Sequence, residues 1–125
     1  MTVDLLTIPA QCVAESRINQ LDVNNIEFGK IFSDHMLVVD YKDGAWQNPQ
    51  ILPYGDMQMS PATSALHYGQ SIFEGMKAYR DATGDILLFR PMENFHRLNK
   101  SAERMCMPAL TEDIFMQGLE QLLRL

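Results

Sequence analysis

Cysteine and histidine are the residues here that could do metal or redox chemistry, and their spacing favours neither. The two cysteines, Cys12 and Cys106, lie far apart and outside any CxxC pattern. The three histidines, His35, His67 and His96, form no HxxH or HExxH pattern. We therefore expect two free thiols in a reducing compartment, and no metal site.

Arginine, tyrosine and phenylalanine are the remaining residues that could contact a ligand. Arg97 falls on the polar face of a predicted helix, where an arginine is usually only solvated. By residue type alone, Tyr68 suits packing beneath a hairpin, and Phe28 and Phe73 suit a core better than a pocket wall. The pattern by itself assigns these four side chains no chemistry.

The composition limits the classes of protein to consider. The 125 residues fit one domain of common size, with 46% hydrophobic and 21% charged residues. A net charge of -6 argues against non-specific nucleic-acid binding, which needs a basic face. No apolar run approaches the roughly 20 residues of a membrane span, and the first residues do not resemble a secretory signal. We expect a cytoplasmic protein that contacts neither nucleic acid nor membrane.

Two β-hairpins are predicted from strand and turn patterns. The first has a β-rich run at 36–41, a turn at 42–45 that contains Asp-Gly, and a second strand opening at Trp46. The second has strands at 75–80 and 86–89 around a turn at 81–85. Residues 53–60 are expected to form a loop or short strand.

Several helices are predicted from caps and apolar spacing. A short helix is expected at 13–19, and another from Ser60 as N-cap through residue 68, limited by Gly69 and Gly75. A third begins at Pro91 and ends before Pro108. Its apolar face consists of Phe95, Leu98, Ala102 and Met105.

The final predicted helix is capped by Thr111 and is strongly amphipathic. Its apolar stripe consists of Ile114, Phe115, Gly118, Leu119, Leu122 and Leu123. The sequence stops at Leu125 within this pattern, without a C-cap glycine or polar tail. From this we expect the chain to be a piece of a longer protein.

Four motifs in register carry a family resemblance. They are FGKIFSDHM at 28–36, SALHYGQSIFEGMKAYR at 64–80, LFRP at 88–91 and FHRLNKSA at 95–102. Their order and spacing resemble the branched-chain aminotransferases, over about residues 25–125. The resemblance implies the small N-terminal α+β domain of fold type IV pyridoxal phosphate enzymes, with β-hairpins packed with helices. Residues 1–24 carry no motif and are expected to form an N-terminal arm.

The family resemblance implies roles for four residues. Arg97 would bind the phosphate of pyridoxal 5'-phosphate, because its planar fork of donors stays charged at all pH values. Tyr68 would line the substrate pocket near the substrate carboxylate, and Phe28 and Phe73 would form apolar pocket walls. Glu74 and Gly75 receive no chemical role.

No lysine of this chain matches the position of the family's Schiff-base lysine. The four lysines are Lys30, Lys42, Lys77 and Lys100, and we expect Lys77 and Lys100 to be surface residues. The catalytic lysine would lie in a C-terminal domain that this chain lacks, so the chain alone is expected to be inactive.

The resemblance implies a homodimeric enzyme that moves an amino group from leucine, isoleucine or valine to 2-oxoglutarate. Two alternatives stay open. D-amino acid transaminases and aminodeoxychorismate lyases resemble the same scaffold but catalyse other reactions. A stand-alone module that binds a partner and catalyses nothing would also account for the missing lysine.

Overall fold

The computed structural model describes residues 7–22 and 24–125, which form two compact units. The first unit comprises Met1–Asp56 and Gln117–Leu125, and the second comprises Met57–Met116. Both combine an antiparallel β-hairpin with helix, which confirms the predicted α+β class. The predicted division into an arm of residues 1–24 and a domain of residues 25–125 stays a prediction.

The hairpin of the first unit pairs strand β1 (His35–Lys42) with strand β2 (Ala45–Pro53). Asp43 and Gly44 connect the strands, with φ of 53° and 81°. Two consecutive positive φ values are what a tight hairpin turn needs, and Asp-Gly adopts them readily. The predicted first hairpin is therefore confirmed.

Residues 9–11 run alongside β2 and complete the core of the first unit. Ala10 forms a parallel bridge with Ile51, and the Gln11 N–H donates to the Ile51 carbonyl at 2.8 Å. Ile51 is completely buried, and Ile8 is nearly so. Residues 9–11 therefore supply backbone pairing to β2, and the adjoining Ile8 supplies apolar burial.

The predicted helix at 13–19 is wrong. The structure has only a 3-10 helix at Ile18–Gln20. The Val13 N–H donates instead to Nε2 of the buried His35, and the Arg17 N–H donates to the Asp34 carboxylate. In an α-helix the Arg17 N–H would donate to the Val13 carbonyl, and the Asp34 carboxylate takes this donor instead.

The second unit contains helix α1 (Ser64–Tyr68), strands β3 (Ala78–Arg80) and β4 (Ile86–Leu88), and helix α2 (Pro91–Arg104). The second hairpin is thus confirmed, although both strands are shorter than predicted. Helix α1 begins three residues later than predicted, with Thr63 at the N-cap position. Ser60 is not its N-cap, because the Ser60 carbonyl and hydroxyl accept bonds within a preceding turn.

Helix α2 begins at Pro91 as predicted, with Phe95 and Ala102 buried. It ends at Arg104, so Met105 lies outside the helix and Pro108 does not terminate it. Cys106 adopts a φ of 54°, and the N–H groups of Cys106 and Met107 donate to the carbonyls of Glu103 and Ala102. This is a Schellman-type end with cysteine in place of the usual glycine.

The last helix, α3 (Glu112–Arg124), contains the boundary between the two units. Its Gly118 lies against β1, where an added Cβ would come within 2.5 Å of the Leu37 side chain. Ile114 and Gly118 are buried, in agreement with the predicted apolar stripe. The glycine therefore permits a close approach of helix to strand.

Candidate functional site

The loop between α1 and β3 is tied to α2 at two places within the second unit. The Gln70 amide donates to the Met105 carbonyl at 2.8 Å, just past the end of α2. The Asn94 amide donates to the Gly75 carbonyl at 3.0 Å, near the start of the same helix. Residues 70–75 are therefore held along α2 by one hydrogen bond near each end of the helix.

The Glu74 carboxylate is the centre of the polar contacts between this loop and α2. Its Oε1 accepts from Arg97 Nε at 2.5 Å, and its Oε2 accepts from Arg97 Nη2 at 2.8 Å. The same Oε2 accepts from Asn94 Nδ2 at 2.6 Å and from the Gly75 N–H at 3.1 Å. Because Asn94 and Arg97 are three residues apart on one helix, both reach the same carboxylate.

These donors stabilise the ionised form of Glu74. Hydrogen bonds from Arg97 and then from Asn94 lower the pKa of Glu74 from 4.5 to about 2, against a smaller opposing effect of desolvation. The same carboxylate raises the pKa of Arg97. Glu74 and Arg97 are therefore both charged at physiological pH.

Arg97 keeps donors for a second anion. Its Nε and one Nη bind Glu74 side-on, which uses two of the five N–H groups of a guanidinium. The outward fork, formed by the two Nη atoms, lies on another edge of the plane, and the Arg97 side chain is 65% exposed. A planar fork that stays charged fits a phosphate group. Arg97 could therefore hold the phosphate of pyridoxal phosphate, and that role stays a prediction.

The proposed substrate-contacting aromatic residues are all exposed in this structure. Tyr68, the last residue of α1, is 86% exposed, and Phe73, in the tethered loop, is 93% exposed. Phe28 belongs to the first unit and is fully exposed. The packed or core environments that residue type alone suggested for these three side chains are therefore wrong. Tyr68 and Phe73 share the second unit with Arg97.

Glu74 and Asn94 are the polar residues of this site that sequence reasoning left without a role. Asn94 lies three residues before Arg97 in the predicted helix, and this spacing, which brings two side chains to one helical face, was a usable signal. Glu74 lies 23 residues before Arg97, and no local spacing rule links residues so far apart. Lys77 and Lys100 are exposed, as predicted.

A second cluster around a partly exposed carboxylate belongs to the first unit. Asp34 accepts hydrogen bonds from Arg17 Nε at 2.7 Å and from the Ser16 hydroxyl at 2.7 Å, and they lower its pKa to about 2. An open, mostly apolar cavity of about 450 Å³ lies beside it. Because Asp34 and Arg17 neutralise each other, we assign them the structural role of holding residues 16 and 17 against the start of β1.

Metal and membrane features are not found in the part of the chain that the structure describes. No three cysteine, histidine, aspartate or glutamate residues among 7–22 and 24–125 are grouped to hold a metal ion. Within the same residues, no helix has the length and hydropathy to cross a membrane. Cys12 and Cys106 are both free and exposed.

Comparisons with known proteins find close relatives. The chain is 48% identical over 105 residues to branched-chain-amino-acid transaminase 1 of Bacillus subtilis, covering 83% of this chain and 30% of that protein. It is 46% identical over 111 residues to the branched-chain-amino-acid aminotransferase of Mycolicibacterium smegmatis, covering 88% and 30% respectively. No family model matches the chain.

These alignments relate the chain to the aminotransferases. Within that class, the chain matches the N-terminal portion of the branched-chain-amino-acid aminotransferases, which confirms the resemblance seen in its motifs. The chain spans about 30% of the length of the curated relatives it matches.

Proposed function

We propose that this chain is the N-terminal portion of a pyridoxal-phosphate-dependent transaminase. The whole protein would transfer the amino group of L-leucine, L-isoleucine or L-valine to 2-oxoglutarate. The names of relatives at 46% to 49% identity support this substrate class. The structural observation that carries the proposal is the exposed Arg97 fork, held by Glu74 in the same unit as the exposed Tyr68 and Phe73.

In this proposal Arg97 binds the cofactor phosphate. Its outward Nη fork donates two parallel hydrogen bonds to phosphate oxygens, and its charge offsets the charge of the phosphate. When bound, pyridoxal phosphate supplies the aldehyde that carries the amino group and the ring that withdraws electrons from the substrate. Arg97 contributes position and charge to the site, and makes or breaks no covalent bond.

The exposed aromatic residues would form the substrate side of the site. Within the second unit, Phe73 offers apolar surface to a branched aliphatic side chain, and Tyr68 adds a hydroxyl near the substrate carboxylate. A role of Phe28 as a further apolar contact of the substrate stays a prediction. An apolar side chain left in water is unfavourable, so three such exposed rings favour contact with a ligand or a further part of the protein.

The remaining parts of the proposal concern the whole protein. The proton-transferring lysine would come from outside this chain, since no lysine here matches the family's Schiff-base position. We further propose a cytoplasmic homodimer. The 125-residue chain alone should not transaminate, and turnover by it would contradict this part of the proposal.

A substrate comparison tests the proposed reaction. The native protein is supplied with 2-oxoglutarate and either L-leucine or D-alanine, and glutamate formation is measured. We expect turnover with L-leucine and little with D-alanine. Preferential turnover of D-alanine would instead support a D-amino acid transaminase, and absence of turnover with both would contradict the proposed transaminase.

A further inference from the structure

Glu74 is anchored independently of the arginine that it binds. Its side chain is only 11% exposed, and it accepts hydrogen bonds from Asn94 and from the Gly75 N–H in addition to Arg97. Asn94 is in turn tied to the Gly75 carbonyl. The carboxylate therefore has a fixed place in the loop before Arg97 is considered.

Arg97, in contrast, has a long and mostly exposed side chain. An exposed arginine loses considerable rotamer freedom when it is fixed in one geometry. If the ligand itself had to fix the side chain, this loss of entropy would lower the affinity for the ligand. The bidentate contact with Glu74 fixes the plane of the guanidinium beforehand. The outward Nη fork is left facing away from the carboxylate.

We propose that Glu74 is the positioning residue for phosphate binding by Arg97, holding the guanidinium side-on so that its outward fork is oriented before the cofactor arrives. The inference rests on the proposed function, because the phosphate is that of pyridoxal phosphate. It adds a role for Glu74, which contacts Arg97 and not the cofactor. The low pKa of Glu74 supports it, since the carboxylate stays charged wherever the enzyme would work.

Two effects of Glu74 on phosphate affinity oppose each other. Preorganising one long side chain should strengthen binding by about threefold to tenfold. The negative charge of Glu74 repels the phosphate across the guanidinium, roughly 7 Å away in water-like surroundings, which weakens binding by about threefold for each negative charge that the phosphate carries. Separating these effects requires one variant that keeps the charge and one that removes it.

Glu74→Asp keeps the charge but shortens the side chain by one methylene, so the bidentate contact is lost while the repulsion remains. We expect it to weaken phosphate-dependent binding by about threefold to tenfold. Glu74→Gln removes the charge as well, so its loss should be smaller. Glu93→Gln is the matched control, because Glu93 lies on α2, the helix that carries Arg97, and forms an exposed ion pair with Arg90.

The probes are pyridoxamine 5'-phosphate and pyridoxamine, measured by calorimetry on the purified full-length protein after its bound cofactor has been removed. Neither forms a Schiff base with a lysine, so binding is non-covalent, and their affinity ratio isolates the phosphate contribution. A merely structural role of Glu74 would weaken both probes alike and leave the ratio unchanged. Melting temperatures of each variant show whether the fold is retained.

The wild-type protein supplies a second readout that needs no variant at position 74. The Arg97 Nε–H should give a slowly exchanging NMR signal without ligand, and it should persist when pyridoxamine 5'-phosphate is added. Loss of that signal on binding would mean that Arg97 leaves Glu74 to reach the phosphate, which overturns the inference.

The outcomes separate this inference from the proposed function. If Arg97→Gln lowers the affinity ratio but Glu74→Asp matches wild type, Arg97 binds phosphate without help from Glu74. If Arg97→Gln leaves the ratio unchanged, the phosphate site itself is wrong, and the inference fails with it. A lowered ratio in Glu74→Asp with an unchanged ratio in Glu93→Gln is the expected result.

Discussion

The ionisation of Glu74 gives the sharpest test of the geometry around Arg97. Hydrogen bonds from Arg97 are the largest cause of its low pKa, followed by those from Asn94. In Arg97→Gln the pKa of Glu74 should therefore rise from about 2 most of the way toward 4.5, the ordinary value of a glutamate. In Asn94→Ala the pKa should rise less, because the bidentate contact with Arg97 remains.

The same shift sets a direction for stability against pH. Because the pKa of Glu74 is lower in the folded than in the unfolded protein, its stabilising contribution is fully present above pH 4.5 and is lost as the pH falls toward about 2. The free energy of unfolding of wild type should therefore approach that of Glu74→Gln as the solution is acidified through this window. Asp34 acts over a similar range, from 3.8 to about 2, and is present in both proteins.

The assay is a carbon NMR titration of the Glu74 side-chain carboxyl, with urea unfolding at several pH values. Retention of the fold at each pH is checked by the dispersion of the methyl signals. A Glu74 pKa near 4.5 in wild type, or a pKa that does not rise in Arg97→Gln, would refute the ion pair on which the phosphate site depends.

Other predictions concern the core and the exposed rings. Ile51→Ala should destabilise the protein by about 2–5 kcal/mol in urea unfolding, because Ile51 is completely buried; a loss below that of a surface substitution would contradict the described core. Gly118→Val should cost about 1–3 kcal/mol, because a side chain there overlaps Leu37, and an unchanged melting temperature would count against that close approach. Tyr68→Phe and Phe73→Leu should each change stability by less than about 0.5 kcal/mol, because both rings are exposed, while lowering affinity for L-leucine in the native enzyme; a large stability loss would instead mark them as core residues.

Local signals predicted those elements whose ends are determined by single residues. Asp43 and Gly44 located the first hairpin turn, and Pro91 located the start of α2. In both cases the backbone conformation follows from the residue itself, through the positive φ of Asp-Gly and the fixed φ of proline.

The predictions of local structure that proved wrong concern segments whose conformation depends on hydrogen bonds to residues outside the segment or on an unusual backbone conformation. In the segment 13–19, Asp34 accepts the Arg17 N–H, which an α-helix would have used for its own hydrogen bond. Helix α2 ends at Arg104 and is followed by Cys106 in the left-handed region, and cysteine is not a residue type that signals a helix end. Such contacts exist only after folding, so periodicity in the sequence could not predict them.

The candidate site was predictable only in part, for the same reason. Family motifs identified Arg97 as the prospective phosphate ligand, and helical spacing placed Asn94 beside it. The role of Glu74 depends on a loop folding back along α2, which is a tertiary event. Residue type also suggested packed environments for Phe28 and Phe73, whereas both are exposed.

We propose that this chain is the N-terminal portion of a pyridoxal phosphate transaminase. The most direct measurement is the intact mass of the native protein, taken beside its visible absorbance spectrum. We predict a mass per chain far above 14.3 kDa, together with the absorption band of bound pyridoxal phosphate. A native chain of 14.3 kDa without that band would contradict the claim.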